Sequence, residues 1–357
     1  MNKFIIIDKS DYINAINLHL GLYHPLSGFA TLKEFESIIS KKKINNINFT
    51  IPINLFCPKI KSNNFELGDT INLKYKNEII GSLILDSKFK IDKKKILLSI
   101  FGTTSKTHLG VNNYLKKIEK NPISLGGRVH VNYNKVKNFF IINNFDTMKK
   151  LEKIKYRDVA FSTRNIPHIG HNLIQKKIIE SKKELTIFLI LSIKNKYNKK
   201  ILIDSYKALK NNKTFKSINI LFIYLPTFFA GPNETFLQAK IFENMKFKSF
   251  YVGRDHAGYK SFYKKFHSQE IFKRIKSKIK IIKLNEPMLC NSCKVPIINK
   301  YKYKKSCPLC NGKKLSELNG ADIKILIKKK KKDILLGLLD PFVFNFFKKN
   351  NFTLHND

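Results

Sequence analysis

From Asp158 onward the sequence alternates apolar runs of strand length with stretches of helical spacing, and this rhythm restricts the fold more than any other feature of the chain. The runs are DVAF (158–161), ELTIFLILSI (184–193), INILFIYLP (218–226) and FKSFYVG (247–253). They are predominantly apolar instead of alternating, as strands buried on both faces of a parallel sheet are. HNLIQKKIIESKK follows the first run and ETFLQAKIFENM precedes the last, both with helical periodicity. Strands alternating with helices imply right-handed crossovers and a doubly wound α/β sheet, whose ligands sit beyond the carboxyl ends of the strands.

Residues 1–150 have a different rhythm. INLKY (71–75), EIIGSLIL (78–85) and ILLSIF (96–101) have strand length and β-rich content, split by turn signals such as HPLSGF, LGDT and SLGGRVHV. A mostly β domain is expected, with a helix at TLKEFESIISK (31–41). The last residues, DILLGLLDPFVFNFF (333–347), predict a helical tail around Pro341 that packs on the main domain or on a second subunit.

Charge is less informative than its size suggests. The 68 Lys+Arg against 26 Asp+Glu give +42, but only Arg128, Arg157, Arg164, Arg254 and Arg274 are arginine. Arginine is the residue suited to bidentate phosphate and base contacts, so a chain that reads nucleic acid should be richer in it. The lysines are also spread along the whole length, in runs such as 41–43, 93–95 and 328–332. We expect a diffuse solvated excess with weak, salt-sensitive polyanion binding and no specific nucleic-acid partner. The apolar run before Asp8 is too short for a signal peptide, and no apolar stretch reaches the length of a membrane span. A cytoplasmic protein without a membrane partner is expected.

Two motifs fall at strand ends. The first is FSTRNIPHIGHNL (161–173), which fills the turn between the first strand and its helix. A helix N-terminus presents unpaired N–H groups and the positive end of the dipole, which suits an anion. Gly170 clears space for a nucleotide, and His168 and His171, three apart, share one helical face from which both imidazoles can touch the same phosphates. The second is VGRDHAG (252–258). There Gly253 allows close backbone approach, Arg254 supplies a cation, and Asp255 and His256 can organise a phosphate, a ribose or a Mg²⁺ complex. Near the C-terminus, Cys290, Cys293, Cys307 and Cys310 form two C-x2-C knuckles separated by thirteen residues. Four thiolates so spaced suit a structural Zn²⁺ with no open coordination position.

His-x-Gly-His after a strand resembles the signature of the nucleotidylyltransferase superfamily. Together, STRNIPHIGH, FAGPNE (229–234) and VGRDHAG resemble the ATP sulfurylases, of the zinc-knuckle-containing bacterial type. HPLSGFATLKEFESII (24–39), FGTTSKTHLGV (101–111) and SLGGRV resemble that family's β-rich, PUA-like first domain, so the likeness covers nearly the whole chain.

The resemblance implies a PUA-like domain over 1–150, a doubly wound, Rossmann-like nucleotidylyltransferase domain over 151–285, a zinc knuckle over 286–312 and a helical segment over 313–357. It implies sulfate adenylyltransferase activity: sulfate attacks the α-phosphate of ATP, bound with Mg²⁺, giving adenosine 5′-phosphosulfate and pyrophosphate, or the reverse. Thr163, Arg164, Asn165, His168 and His171 would be catalytic. ATP would be held by Ser162, Thr163, Arg164, Asn165, Gly253, Arg254, Asp255, His256 and Met288, and sulfate by Arg164 and the Ala257 N–H. A homo-oligomer is expected.

The chain departs from the family at several places. Ser162 replaces a glutamine, Phe228 and Asn233 replace arginines, ILSIKNKYN replaces a His-Pro-Leu motif and NGAD (319–322) a Ser-Gly-Thr. Each removes a polar group from, or near, the anion pocket. They keep open a relative that uses another acceptor anion, or an inactive RNA-binding one.

Overall fold

The structure is a computed structural model that describes residues 3–136, 144–192, 198–283, 287–293, 295–298, 307, 309–310, 315–317 and 320–354. The ILSIKNKYN departure lies largely outside these residues.

In chain order the strands are β1 (Phe4–Ile6), β2 (Gly28–Phe29), β3 (Leu55–Cys57), β4 (Thr70–Tyr75), β5 (Glu78–Lys90), β6 (Ile123–Val131), β7 (Val159–Thr163), β8 (Leu185–Leu191), β9 (Asn219–Tyr224), β10 (Ser249–Val252), β11 (Lys280–Lys283), β12 (Pro287–Cys290), β13 (Pro296–Ile298) and β14 (Leu315–Glu317), besides a short hairpin at 43–48. The principal helices are α1 (Lys9–His19), α2 (Leu32–Lys41), α3 (Lys93–Phe101), α4 (Leu109–Lys120), α5 (Asn144–Glu152), α6 (Ile169–Glu180), α7 (Lys199–Leu209), α8 (Pro232–Asn244), α9 (His267–Arg274), α10 (Gly320–Lys328) and α11 (Pro341–Lys349).

These elements form two compact units, one of Met1–Lys153 with Tyr224–Ile281 and one of Ile154–Ile223 with Ile282–Asp357. The first unit carries a six-stranded sheet in the order β1-β4-β5-β6-β2, with β3 also paired to β6. β1 and β4 run parallel, and the β4/β5, β5/β6, β6/β2 and β6/β3 pairs are antiparallel. Tyr12, Tyr23, Phe29, Phe49 and Phe65 are almost fully buried in this unit. α2 begins with a capping box, in which Thr31 accepts from the Glu34 N–H and Glu34 reaches back to the Thr31 N–H at 2.9 Å. The segment ILLSIF, expected as a strand, is the second half of α3. Asp92 caps that helix by accepting from the Lys95 N–H, and Gly102 ends it in the left-handed conformation. A short apolar run does not distinguish strand from buried helix; these two caps decide it.

This unit also contains the end of β9, α8, β10 and α9. The Asn144 side chain accepts from the Tyr224 N–H at 2.7 Å and donates to the Tyr224 carbonyl at 2.9 Å, and Asn17 donates to the same carbonyl at 3.1 Å. The backbone that leaves β9 is thus closed by two buried amides instead of a neighbouring strand. β10 lies beside β11.

In the second unit β7, β8 and β9 are ordered β9-β8-β7. β7 and β8 are parallel, with Val159 opposite Leu185 and Thr163 opposite Leu189, and every residue of both is buried. The first two apolar runs that suggested parallel strands form them, and α6 is the crossover between the two. α6 also packs on β12 and β13, and α7 on α11. Asp340 caps α11 by accepting from the Phe342 N–H, and its other oxygen accepts from the Asn212 side chain at 2.7 Å. β12, β13 and β14 make an antiparallel sheet in the order β13-β12-β14. Among the described residues no helix is long and apolar enough to cross a membrane.

Candidate active site

The second unit places the His-x-Gly-His motif at the carboxyl end of β7. Ser162 and Thr163, its last two residues, are 7% and 6% exposed. The Thr163 hydroxyl accepts from the Asn165 N–H at 3.0 Å, turning the chain sharply after the strand and leaving Arg164 and Asn165 half-buried on the turn. His168 is the N-cap of α6 but makes no side-chain capping bond, and its ring stacks on that of His171 with centroids 4.1 Å apart and planes at 29°. His171 meets the edge of Phe161 on β7 at 5.4 Å. His108, which caps α4 in the first unit, is a useful contrast. Its Nδ1 accepts from the Val111 N–H at 3.2 Å, so its ring closes the helix; the His168 ring does not. The two imidazoles are thus stacked at the N-terminus of α6.

The first unit holds the second motif as a loop between β10 and α9. Arg254 donates from Nε and Nη2 to Asp255 Oδ2 at 2.8 and 2.7 Å, with the guanidinium largely buried and the carboxylate half exposed. The His256 carbonyl accepts from Thr235 Oγ1 at 3.0 Å and from Ser268 Oγ at 2.7 Å, while its Nε2 lies 2.8 Å from Gln238 Oε1. Ala257 has φ +56°, a conformation that costs an alanine energy and is kept where the surroundings enforce it. The Gly231 N–H donates to the Ala257 carbonyl at 3.0 Å and ties this residue to the neighbouring turn. Gly231 itself has φ +50°, and a Cβ there would meet the Tyr263 ring at 2.7 Å, so the Ala-Gly-Pro turn requires glycine twice over. Glu234 accepts from the Ala230 N–H at 3.1 Å and closes the same turn.

The four cysteines of the knuckles come together in the second unit. Their sulfurs lie within 4.8 Å of one another, with Cys290 to Cys310 at 3.5 Å and Cys293 to Cys307 at 3.8 Å. A tetrahedral Zn²⁺ with Zn–S bonds of about 2.3 Å separates its sulfurs by ~3.8 Å, so the arrangement fits that ion. N–H bonds from Cys293 and its neighbour hold the Cys290 thiol down at about 6, as a metal thiolate requires. Met288 lies on β12 and packs against Cys290, Ile297 and Cys307.

Some residues that matter here carry no motif. Gln238 and Thr235 sit in TFLQAKIF on α8, a largely buried helix that also carries Glu234, Lys240 and Glu243, so no sequence signal singles them out. Gly320 opens α10 directly against the Asn165 side chain.

The fold and these loops define an α/β nucleotidylyltransferase with a PUA-like N-terminal domain. Residues 144–334 match the family model "ATP-sulfurylase" and residues 2–134 match "PUA-like domain". The chain belongs to the ATP-sulfurylase family. It is similar to the sulfate adenylyltransferases of Staphylothermus marinus (27% identity, 95% of this chain and 91% of the relative), Pyrococcus abyssi (29%, 74% and 70%) and Carboxydothermus hydrogenoformans (29%, 85% and 80%). Among solved structures it is similar in fold to a hexameric APS kinase from Thiobacillus denitrificans, with a TM-score of 0.65 and 14% identity over 98% of this chain. It spans 63% of that protein's length.

Proposed function

We propose that the chain is a sulfate adenylyltransferase, converting ATP and sulfate to adenosine 5′-phosphosulfate and pyrophosphate, or running the reverse reaction. The observation that carries this is the stacked His168–His171 pair at the N-terminus of α6, in a chain of the ATP-sulfurylase family. A sulfate oxygen attacks the α-phosphorus in line, the bond from that phosphorus to the bridging oxygen breaks, and pyrophosphate leaves with the electron pair. Such a step needs positioned charge more than a protein nucleophile. Mg²⁺ enters with ATP as part of the substrate.

In this reading Arg164 holds sulfate with the Ala257 N–H, and Thr163 and Asn165 shape the turn that presents Arg164. His168 and His171 donate to the β- and γ-phosphates as negative charge develops on the departing pyrophosphate. Gly253, Arg254, Asp255 and His256 bind ATP, joined by Ser162 and Met288. The four cysteines hold a structural Zn²⁺ that takes no part in the chemistry. As functional segments we keep 1–150, 151–285, 286–312 and 313–357, in a cytoplasmic homo-oligomer. The relatives favour neither another acceptor anion nor an inactive RNA-binding role.

The test is pyrophosphate release from MgATP by the purified chain with and without sulfate. Release should require sulfate and fall by about 10²–10³ in Arg164→Ala and His171→Ala, the scale of losing one donor to developing charge. Absence of sulfate-dependent turnover in both directions would refute the reading.

A further inference from the structure

The hydrogen bond between Gln238 and His256 has a chemical consequence for the second motif. Gln238 is 6% exposed, on a helix whose neighbouring residues Phe236, Leu237, Ala239, Ile241 and Phe242 are all buried. A carboxamide in such surroundings costs stability unless its polar atoms are bonded, and packing alone would be served better by leucine or methionine. Its Oε1 lies 2.8 Å from His256 Nε2. A carboxamide oxygen only accepts, so Nε2 carries the hydrogen. In the neutral ring the lone pair then resides on Nδ1, and Nδ1 is the nitrogen whose protonation can change.

The rest of His256 is equally fixed. Hydroxyls from α8 (Thr235) and α9 (Ser268) hold its carbonyl, and Phe250 of β10 stands edge-on to its ring at 5.4 Å and 89°. The backbone is pinned from two helices and the ring braced by a strand, and the Gln238 carboxamide oxygen at Nε2 restrains both the tautomer and the flip of the imidazole.

We propose that Gln238 is a positioning residue for the reaction, holding His256 in one orientation as the Nε2–H tautomer so that Nδ1 is the nitrogen offered to the nucleotide. This rests on the reading of His256 as an ATP-binding residue. Gln238 itself touches no substrate; it acts through the ring.

The experiment uses the full-length chain with ¹⁵N-labelled histidine, the His256 signal being assigned by its loss in His256→Asn. Wild type should show the Nε2–H tautomer. Gln238→Leu, and Gln238→Met as a second variant of closer shape, should lose that single tautomer, and Gln238→Glu, which keeps an acceptor oxygen at the same reach, should retain it. In kinetics the Leu and Met variants should raise the KM for MgATP about tenfold with kcat within about threefold, and Glu should restore most of the loss; a tenfold change is the scale of one hydrogen bond's worth of positioning. An Nδ1–H tautomer in wild type, or a tautomer and KM unmoved by Gln238→Leu and Gln238→Met, would overturn the proposal. If the tautomer responds as stated but His256→Asn leaves the KM for MgATP unchanged, the ATP-binding role of His256 is what fails, and Gln238 still fixes the ring.

Discussion

The side-chain amide of Asn233 donates to the carbonyls of Ser99 and Ile100, at 3.1 and 2.8 Å. Those carbonyls belong to the last turn of α3, where a helix has acceptors without intrahelical partners. At a position where the resembled family usually has arginine, this chain therefore uses a short amide that closes one helix from the first turn of another. The Asn233 carbonyl is used as well, accepting from Thr50 Oγ1 at 2.6 Å. Asn233→Ala should lower stability by about 1–2 kcal/mol, the cost of leaving the Ile100 carbonyl unmet while Lys42 still serves that of Ser99, and should leave the KM for sulfate near wild type. Urea unfolding and sulfate titration check this together. A stable variant with a raised KM would place Asn233 in the anion site instead.

The same helix end receives a charge. Lys42, with φ +54°, puts its Nζ 2.6 Å from both the carbonyl and the hydroxyl of Ser99 and 3.3 Å from the Thr50 carbonyl. Burial lowers its pKa from 10.5 to about 8. Between these two values the unfolded chain binds more protons at this lysine than the folded one, so its contribution to stability rises as pH goes from about 8 to 10.5. The whole protein loses positive charge over the same range, so the comparison has to be made against Lys42→Met. The stability difference between wild type and Lys42→Met, followed by chemical unfolding, should move in favour of wild type across that window. A flat difference would mean that the three acceptors hold the ammonium charged and offset the burial.

The cysteine cluster predicts a strong dependence on metal. Zinc binding in small zinc-dependent peptides is worth about 10–16 kcal/mol, more than the residues around β12, β13 and β14 can supply from their own packing. One Zn²⁺ per chain should be found by elemental analysis. A strong chelator, or Cys307→Ser, should remove it and lower the melting temperature. A metal-free chain with an unchanged melting temperature would contradict the structural role.

Much of this architecture was legible in the sequence because it is local. The continuous apolar runs gave β7 and β8, the histidine pair fell at the start of a helix because it follows such a run, and the cysteine spacing pointed to four converging sulfurs. What was not legible depends on flanking residues outside the run or on partners distant in sequence. ILLSIF is helical because Asp92 and Gly102 cap it, and a pattern of six residues does not carry that choice. Asn233 looked like a lost cation and is a cap for a helix more than a hundred residues away. Gln238 belongs to no motif, and only the fold places His256 beside it. Phe228 also replaces an arginine; its carbonyl packs where a Cβ on Gly110 would come within 2.1 Å, which accounts for the glycine and not for the phenylalanine side chain.

Gly320 tests whether the turn after β7 needs a supporting surface. A Cβ built on Gly320 would lie 2.5 Å from Cγ, 2.7 Å from Nδ2 and 2.8 Å from Oδ1 of Asn165, well inside van der Waals contact. The Asn165 backbone is held by Thr163 Oγ1, so the asparagine side chain would swing away while the start of α10 stays in place. Gly320→Ala, at the first residue of α10, should therefore cost little stability. Turnover should fall by about 10–100-fold, because a displacement near 1 Å in a positioning group has effects of that order. The mechanism is checked by a double-mutant cycle. If the alanine acts through Asn165, it should add almost nothing to the loss already caused by Asn165→Ala, whereas independent effects would multiply. Full activity in Gly320→Ala would show that the Asn165 side chain can move without consequence, and would remove it from the catalytic set.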